Sequence, residues 1–364
     1  MRRKKKNREE TLEALFGLEP LSYKSIKKGD VVVVLSSDVV YEPHLWVTLM
    51  TMVESADKAR NYHLYILDGG IRERSVIKDI FKRYENFKIE FVDMIAQFDG
   101  FFESRSISKA AYYRLAIFFL FENFNRVVYL DADSYILSDI AELFDVNMGD
   151  KQIAGVRDSI NYEIPWREKR IKYSEYSGKA VNYFTNCLLL TPERLAKYFS
   201  SGVLVFNMEQ IDFDGKKKDL RRLLLRDYYC HDQDILNLLF DENQICLLGR
   251  EWNYFNSGSI LREEDFLLEE ERENYLGSKL KPKIVSYVLK PWLKENLDKP
   301  YVKEYWTKLE QSPYYQEVQR SMKRNTKLKR FLKLSIKEKI SFLTSEEALQ
   351  KYRSILNKQI DKKS

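Results

Sequence analysis

Short apolar runs recur through the first part of the chain: Val31–Leu35, His63–Leu67, Lys88–Val92 and Arg126–Leu130. A strand buried on both faces reads this way, because neither face needs polar alternates. Between the runs lie stretches with helical spacing. Pro43–Ala56 carries Leu45, Leu49, Met52 and Val53 along one side, a second such stretch ends near Tyr84, and a third spans Ala110–Phe121. Alternating strands and helices predict an α/β fold with a mostly parallel central sheet flanked by helices. Ligands of such sheets bind beyond the carboxyl ends of the strands. Ser36-Ser37-Asp38 and Asp131-Ala132-Asp133 both stand at such ends, so they are candidates for one shared site.

After Asp158 the pattern loosens, and 159–197 and 255–281 read as insertions or lid segments, the second strongly acidic. Gly202–Asn207 predicts a strand, Asp232–Phe240 a helix and Ile284–Leu289 a last short strand. This divides the chain into an N-terminal arm or short helix (1–29), a catalytic domain (30–298) and a helical, basic extension (299–364).

Charge sharpens that division. The net charge is +6, yet residues 319–364 hold 14 Lys/Arg against 4 Asp/Glu, which leaves the rest of the chain slightly acidic. That distribution argues against a nucleic-acid binder and for a near-neutral body with a basic tail. In the tail, Leu328, Phe331, Leu332, Leu334, Ile336, Ile340, Phe342 and Leu343 alternate with the basic residues. The pattern suits peripheral contact with an anionic membrane, and equally a helix packed on the body. No apolar run reaches the ~18 residues of a membrane span, and the N-terminus lacks the apolar stretch of a secretory signal. Three unpaired-looking cysteines agree with a reducing compartment. Together these point to the cytoplasm, with the inner face of the plasma membrane as the surface the tail would meet.

Asp131 and Asp133 follow the apolar Val127–Leu130. In extended chain, residues i and i+2 face the same way, and two carboxylates aimed together repel unless a cation lies between them. Mg²⁺ or Mn²⁺ suits such oxygen ligands and bridges to a diphosphate. Asp-x-Asp alone is common by chance. A dehalogenase-like phosphatase shares the pattern, but on the first strand of its chain, and no later Lys with paired acids completes that mechanism here.

Four blocks in order, Val31–Tyr41, Ser108–Asp133, Tyr198–Asn207 and Asp232–Asn237, resemble glycosyltransferase family 8. That family, which includes bacterial lipopolysaccharide galactosyl- and glucosyltransferases and glycogenin, has the GT-A fold. The similarity extends from Val31 to Trp292. It implies that Asp38 and Tyr41 hold uridine, that Asp131 and Asp133 hold the metal with Ala132 beside the donor, and that Arg114 and Asp158 contact the donor sugar. It further implies that Asp232 binds sugar hydroxyls and that Gln233 lies beneath the anomeric carbon. Ser200 stands where the family has Asn. Lys290-Pro291-Trp292 resembles the end of His-x-x-Gly-x-x-Lys-Pro-Trp, with Lys290 facing the leaving diphosphate. The metal-binding His of that motif is missing: Ser286 stands nearest, in a segment two residues shorter.

The resemblance therefore implies a retaining, metal-dependent transferase. It would move a hexose from UDP-glucose or UDP-galactose, with Mn²⁺ or Mg²⁺, to a glycan, lipopolysaccharide or lipid-linked acceptor. The missing His and Ser200 keep a second reading open, a non-catalytic relative that binds UDP-sugar without a complete metal site.

Overall fold

The computed structural model describes residues 8–103, 107–158, 183–256 and 269–333. Most of the expected insertion 159–197, much of the acidic segment and the tail beyond Lys333 lie outside them. A seven-stranded sheet of order β3-β2-β1-β4-β7-β6-β8 forms the centre. Its strands are β1 (Val31–Asp38), β2 (Tyr62–Gly69), β3 (Phe87–Asp93), β4 (Arg126–Asp131), β6 (Ile153–Arg157), β7 (Phe199–Asn207) and β8 (Ile245–Leu248). β1 lies parallel to both β2 and β4, β2 parallel to β3, and β6 parallel to β8. Only β7 runs against its neighbours, pairing antiparallel with β4 and β6. The mixed α/β, mostly parallel architecture is thus as the apolar runs predict.

Valines of β1 alternate between two cores. Val32 and Val34 join one apolar cluster with Tyr113, Phe118 and Tyr198, while Val31, Val33 and Leu35 join another with Leu45, Leu49 and Ile66. Both faces are covered, which is why the strand carries no polar alternates. A second, three-stranded sheet joins β5 (Ser134–Ile136), β10 (Ile284–Ser286) and β9 (Tyr254–Phe255). It was not expected. Of its strands only β10 was foreseen, within the expected strand Ile284–Leu289; at two and three residues β9 and β5 leave no run to read.

Two elements differ from the pattern's prediction. The expected helix Ala110–Phe121 is a 3₁₀ helix over Lys109–Ala116 followed by one α-helical turn, Ile117–Leu120. Side chains from Tyr112 to Phe121 are buried all round, so packing rather than a one-sided stripe sets its path. Of the two N-terminal readings, the described part is a helix, Arg8–Phe16, whose Leu12 and Leu15 enter the core beside Phe119. The basic extension begins as structure too. Helix Val302–Glu310, the link after it and the start of helix Tyr315–Lys333 bury Tyr305, Leu309, Tyr314 and Val318 in one cluster with Trp46 and Val47.

Candidate active site

The carboxyl ends of β1, β4 and β6 open on one edge of the sheet. β7 arrives from the opposite direction and so brings its first residues, Ser200–Gly202, to that edge. A cleft of about 200 Å³ lies there, lined among others by Asp131, Asp133, Asp158, Ser200, Gln233 and Lys290. These six were candidates from sequence. Arg114 and Asp232 stand behind the wall, next to Asp131, and Tyr41 lies beside Lys290 on a loop shaped by Asp38.

Asp131 ends β4, and its side chain keeps 35% exposure towards the cleft. Its Oδ1 accepts from Arg114 Nη2 at 2.8 Å and from the Tyr129 hydroxyl at 3.3 Å. Arg114 is buried and forked: Nε lies 2.9 Å from Asp232 Oδ2, and the guanidinium also donates to the Ser201 carbonyl. Its face covers the Tyr129 ring at 4.4 Å. Although burial alone disfavours its charge, Asp131 and Asp232 hold the guanidinium firmly protonated. Burial pushes the Asp232 carboxyl up to about 6, against the pull of Arg114.

Asp133 is almost buried and pairs with the Lys290 ammonium. Burial raises its carboxyl above the usual range, Lys290 opposes that rise and the Asp131 charge adds to it. Burial works against the charge of Lys290, but Asp133 more than compensates and raises it above the ordinary lysine value. Lys290 also lies 5.6 Å from the Tyr41 ring centre and 5.7 Å from that of Trp292.

The turn between the two carboxylates is pinned by a residue the sequence reading missed. Thr48, on helix Glu42–Ser55, puts its hydroxyl 2.8 Å from the Ala132 carbonyl and accepts the Ser134 N–H at 3.1 Å. Ala132 itself is buried.

Gln233, which also lines the cleft, is fully oriented. Its Oε1 accepts from the Ser201 N–H at 3.1 Å, and its Nε2 donates to Asp158 Oδ2 at 2.7 Å. Helix Asp232–Leu239 is fastened to β7 by Asn237, whose amide exchanges two 2.9 Å bonds with the Phe199 backbone. Behind it, Asp234 accepts from Tyr183, Tyr198 and the Cys230 N–H at 2.5–2.7 Å. Asp38 accepts the Val40 and Tyr41 N–H groups at 2.9 and 3.0 Å and the Ser108 hydroxyl at 2.7 Å, so its carboxylate shapes the loop that presents Tyr41. Tyr41 meets Trp292 edge-on at 5.8 Å, and Trp292 stacks on His44 at 3.4 Å.

Among the described residues no cluster of three His, Cys, Asp or Glu surrounds a point where an ion could sit. Asp131 and Asp133 bring two carboxylates to the lining of the cleft. Each gives one oxygen to a basic side chain, Arg114 or Lys290. Two carboxylates completed by substrate oxygens suit a hard divalent ion, so the residues fit one. Gly202 permits the approach of β7: a Cβ there would stand 2.9 Å from Asp131 Oδ2. Residues missed by sequence reasoning at this edge are Thr48 and Asn253, and neither carries a signal of its own in a single sequence; Gly202 was read only as part of the Tyr198–Asn207 block, without a role.

Comparison with known proteins adds an independent line. The model of "Glycosyl transferase family 8" matches residues 32–296. General stress protein A of Bacillus subtilis is 28% identical over 238 residues, 60% of this chain and 72% of that protein. Lipopolysaccharide 1,2-glucosyltransferase of Escherichia coli K12 is 31% identical over 150 residues, 40% of this chain but only 38% of the enzyme. Among solved structures, the bifunctional glycosyltransferase WbbM superposes with a TM-score of 0.71 at 24% identity, over 81% of this chain and 52% of WbbM. This chain thus spans about half of WbbM. The galactosyltransferase LgtC, in complex with donor and acceptor sugar analogs, gives 0.58 at 19% identity, over 78% of this chain and 96% of LgtC. These likenesses establish the shared fold.

Proposed function

The chain belongs to glycosyl transferase family 8, and on that premise we propose that it is a retaining hexosyltransferase using a UDP-sugar and a divalent metal. The observation that carries the reading is the arrangement of charge around one cleft. Two carboxylates, Asp131 and Asp133, line it with Lys290 paired to Asp133, and Gln233, held by the Ser201 N–H, lines it too. A leaving diphosphate gathers negative charge as the sugar departs, and fixed positive groups stabilise that charge without rearranging.

In this reading Asp131 and Asp133 hold Mn²⁺ or Mg²⁺, which when bound neutralises the diphosphate. Lys290 lends a second positive charge from the protein. The bond between the anomeric carbon and the diphosphate oxygen breaks, and a bond to an acceptor hydroxyl oxygen forms on the same face. The hydroxyl proton leaves with the departing diphosphate oxygen. Gln233 is a poor nucleophile, and its amide is locked by Ser201 and Asp158. Its role is to face the positive charge developing at the ring, while Asp158 and Ser200, which line the cleft, meet sugar hydroxyls and Asp232, paired with Arg114 behind the wall, holds that wall in place. Asp38 and Tyr41 hold the uracil end, where an aromatic face binds a base through stacking. Arg114 holds the Asp131 carboxylate in place. Glucose or galactose is the sugar moved, and a glycan, lipopolysaccharide or lipid-linked saccharide accepts it. The basic tail would hold the enzyme at an anionic membrane on the cytoplasmic side.

Donor hydrolysis across a set of UDP-sugars, with and without Mn²⁺, tests this. Metal-dependent turnover of UDP-glucose or UDP-galactose is expected. Binding of UDP-sugar with no turnover of any donor, alone or with candidate acceptors, would favour a non-catalytic binder instead.

A further inference from the structure

The small sheet places a third side chain at the carboxylate pair. Asn253 closes the 3₁₀ turn Arg250–Asn253 and leads into β9. β9 pairs with β10 through Ser286↔Phe255, and β10 pairs with β5 through Ser286↔Ser134. The register therefore sets Asn253, Ser286 and Asp133 side by side, and all three line the cleft.

Asn253 is 3% exposed. One end of its amide is satisfied, since Oδ1 accepts from the Ser286 hydroxyl. The other end, Nδ2, is buried with no hydrogen-bond partner. It lies 3.9 Å from the point where a Cβ on Gly202 would stand, and Asp131 Oδ2 lies 2.9 Å from the same point. An unmet buried amide end is costly, so a bound group is expected to satisfy it. Half a turn of the carboxamide exchanges its two ends. Nδ2 then donates to the Ser286 oxygen, which has lone pairs to accept, and Oδ1 faces the cleft beside Asp131. No hydrogen bond is lost in the exchange.

We infer that Asn253 supplies a third protein oxygen to the cation held by Asp131 and Asp133, with Ser286 orienting its amide. The inference rests on the metal-dependent reading above. The resulting donor set is all oxygen, a set suited to Mg²⁺ as well as Mn²⁺.

The test is Mn²⁺ binding to full-length protein without nucleotide, read as the disappearance of the free-ion electron paramagnetic resonance signal. Asp131→Ala reports on the metal reading itself and is expected to abolish binding. Asn253→Ala is expected to weaken binding at least tenfold with an unchanged circular dichroism spectrum, and Ser286→Ala to weaken it by about tenfold, as orienting partners of ligands do. Asn253→Asp keeps the oxygen and adds charge, so it is expected to bind more tightly than wild type even if the alanine variant fails to fold. If Asp131→Ala loses Mn²⁺ while Asn253→Ala and Asn253→Asp bind as wild type does, the inference falls and the metal reading stands. That would include the case where Asn253→Ala weakens only UDP binding, which would make the amide a donor to substrate. If Asp131→Ala binds normally, both fall.

Discussion

Lys290 pairs its ammonium with Asp133 across 157 residues of sequence, and the pair sits in the wall of the cleft rather than on the surface. Burial disfavours both charges, and each is kept by the other. Removing the cation leaves Asp133 beside Asp131 with no counter-charge. Lys290→Met is therefore expected to lower transfer turnover by about 10²-fold, the scale of losing one fixed group that stabilises developing charge. It should also move the pH at which Mn²⁺ binds upward, because Asp133 would take a proton more readily. Steady-state kinetics and Mn²⁺ titration at several pH values check this. Unchanged turnover would remove Lys290 from the machinery.

Arg114 serves two carboxylates, Asp131 and Asp232, from a fully buried position. Arg114→Ala leaves both carboxylates without their cation and is expected to destabilise the fold by about 3–5 kcal/mol in urea unfolding. Arg114→Lys keeps the charge but loses the fork that reaches two acceptors, so it should fold more stably than the alanine variant yet bind donor poorly. Equal stability of wild type and Arg114→Ala would mean that the pair is not what keeps Asp131 in place.

Gly202 offers a test of geometry without touching a charge. Its backbone is ordinary for any residue, so only space is at issue. Gly202→Ala would drive a methyl to within 2.9 Å of Asp131 Oδ2. The carboxylate must turn away, and a displacement of that order in a catalytic group costs about 10²-fold in rate. Mn²⁺-dependent donor turnover should fall by that amount while the melting temperature stays close to wild type. A variant as active as wild type would mean that the outer oxygen of Asp131 is not used.

Burial raises the Asp234 carboxyl to about 6 from an ordinary 3.8, despite the donors around it. The folded chain thus binds this proton more tightly than the unfolded chain does. Its contribution favours folding at low pH, is lost as pH rises from about 4 to about 6, and is a constant cost above that. Asp234→Asn has no such titration. The stability of wild type relative to Asp234→Asn is expected to fall by up to about 3 kcal/mol between pH 4 and pH 7. Denaturant unfolding at each pH measures the difference, and a gap that grows with pH instead would reverse the sign argued here.

The main sheet was legible because buried parallel strands leave apolar runs, and Val31–Leu35 and Arg126–Leu130 could be read almost residue by residue. The reversed direction of β7 was not, since an all-buried strand reads the same either way. Of the small sheet only β10, which carries Ser286, was legible, within the apolar stretch Ile284–Leu289; β5 and β9, of three and two residues, are too short for periodicity. Asp131 and Asp133 were legible as a pair of acids at a strand end. Thr48 was not, because a threonine in a helix has no signal until its hydroxyl is found on the Ala132 carbonyl. Asn253 was invisible for the same reason: its meaning is an unmet amide end, which exists only in three dimensions.

The C-terminal extension divides at a boundary that packing defines. Up to Val318 it belongs to the body. Tyr305 meets His44 Nδ1 through its hydroxyl at 2.5 Å, Tyr314 donates to Glu42 at 3.0 Å, and Arg72 bonds Glu317 at 3.1 Å. His44 in turn stacks on Trp292, two residues from Lys290. Cutting before Val302 should therefore cost both stability and donor turnover. Beyond Val318 the described helix turns basic and exposed at Arg320, Lys323 and Arg324. Residues 334–364, outside the described part, add seven Lys/Arg against four Asp/Glu. A chain ending at Lys333 keeps every contact named above, so it is expected to fold and turn over donor as the full chain does. The full chain should bind vesicles containing anionic lipid at low salt and release them as salt rises, since each basic residue near the surface adds about 1 kcal/mol that ions screen. The shortened chain should bind them more weakly, and neither should bind neutral vesicles. Co-sedimentation at several salt concentrations reads all of these. A full chain that ignores anionic vesicles at low salt would end the membrane assignment, and a shortened chain that unfolds would make the last residues part of the body.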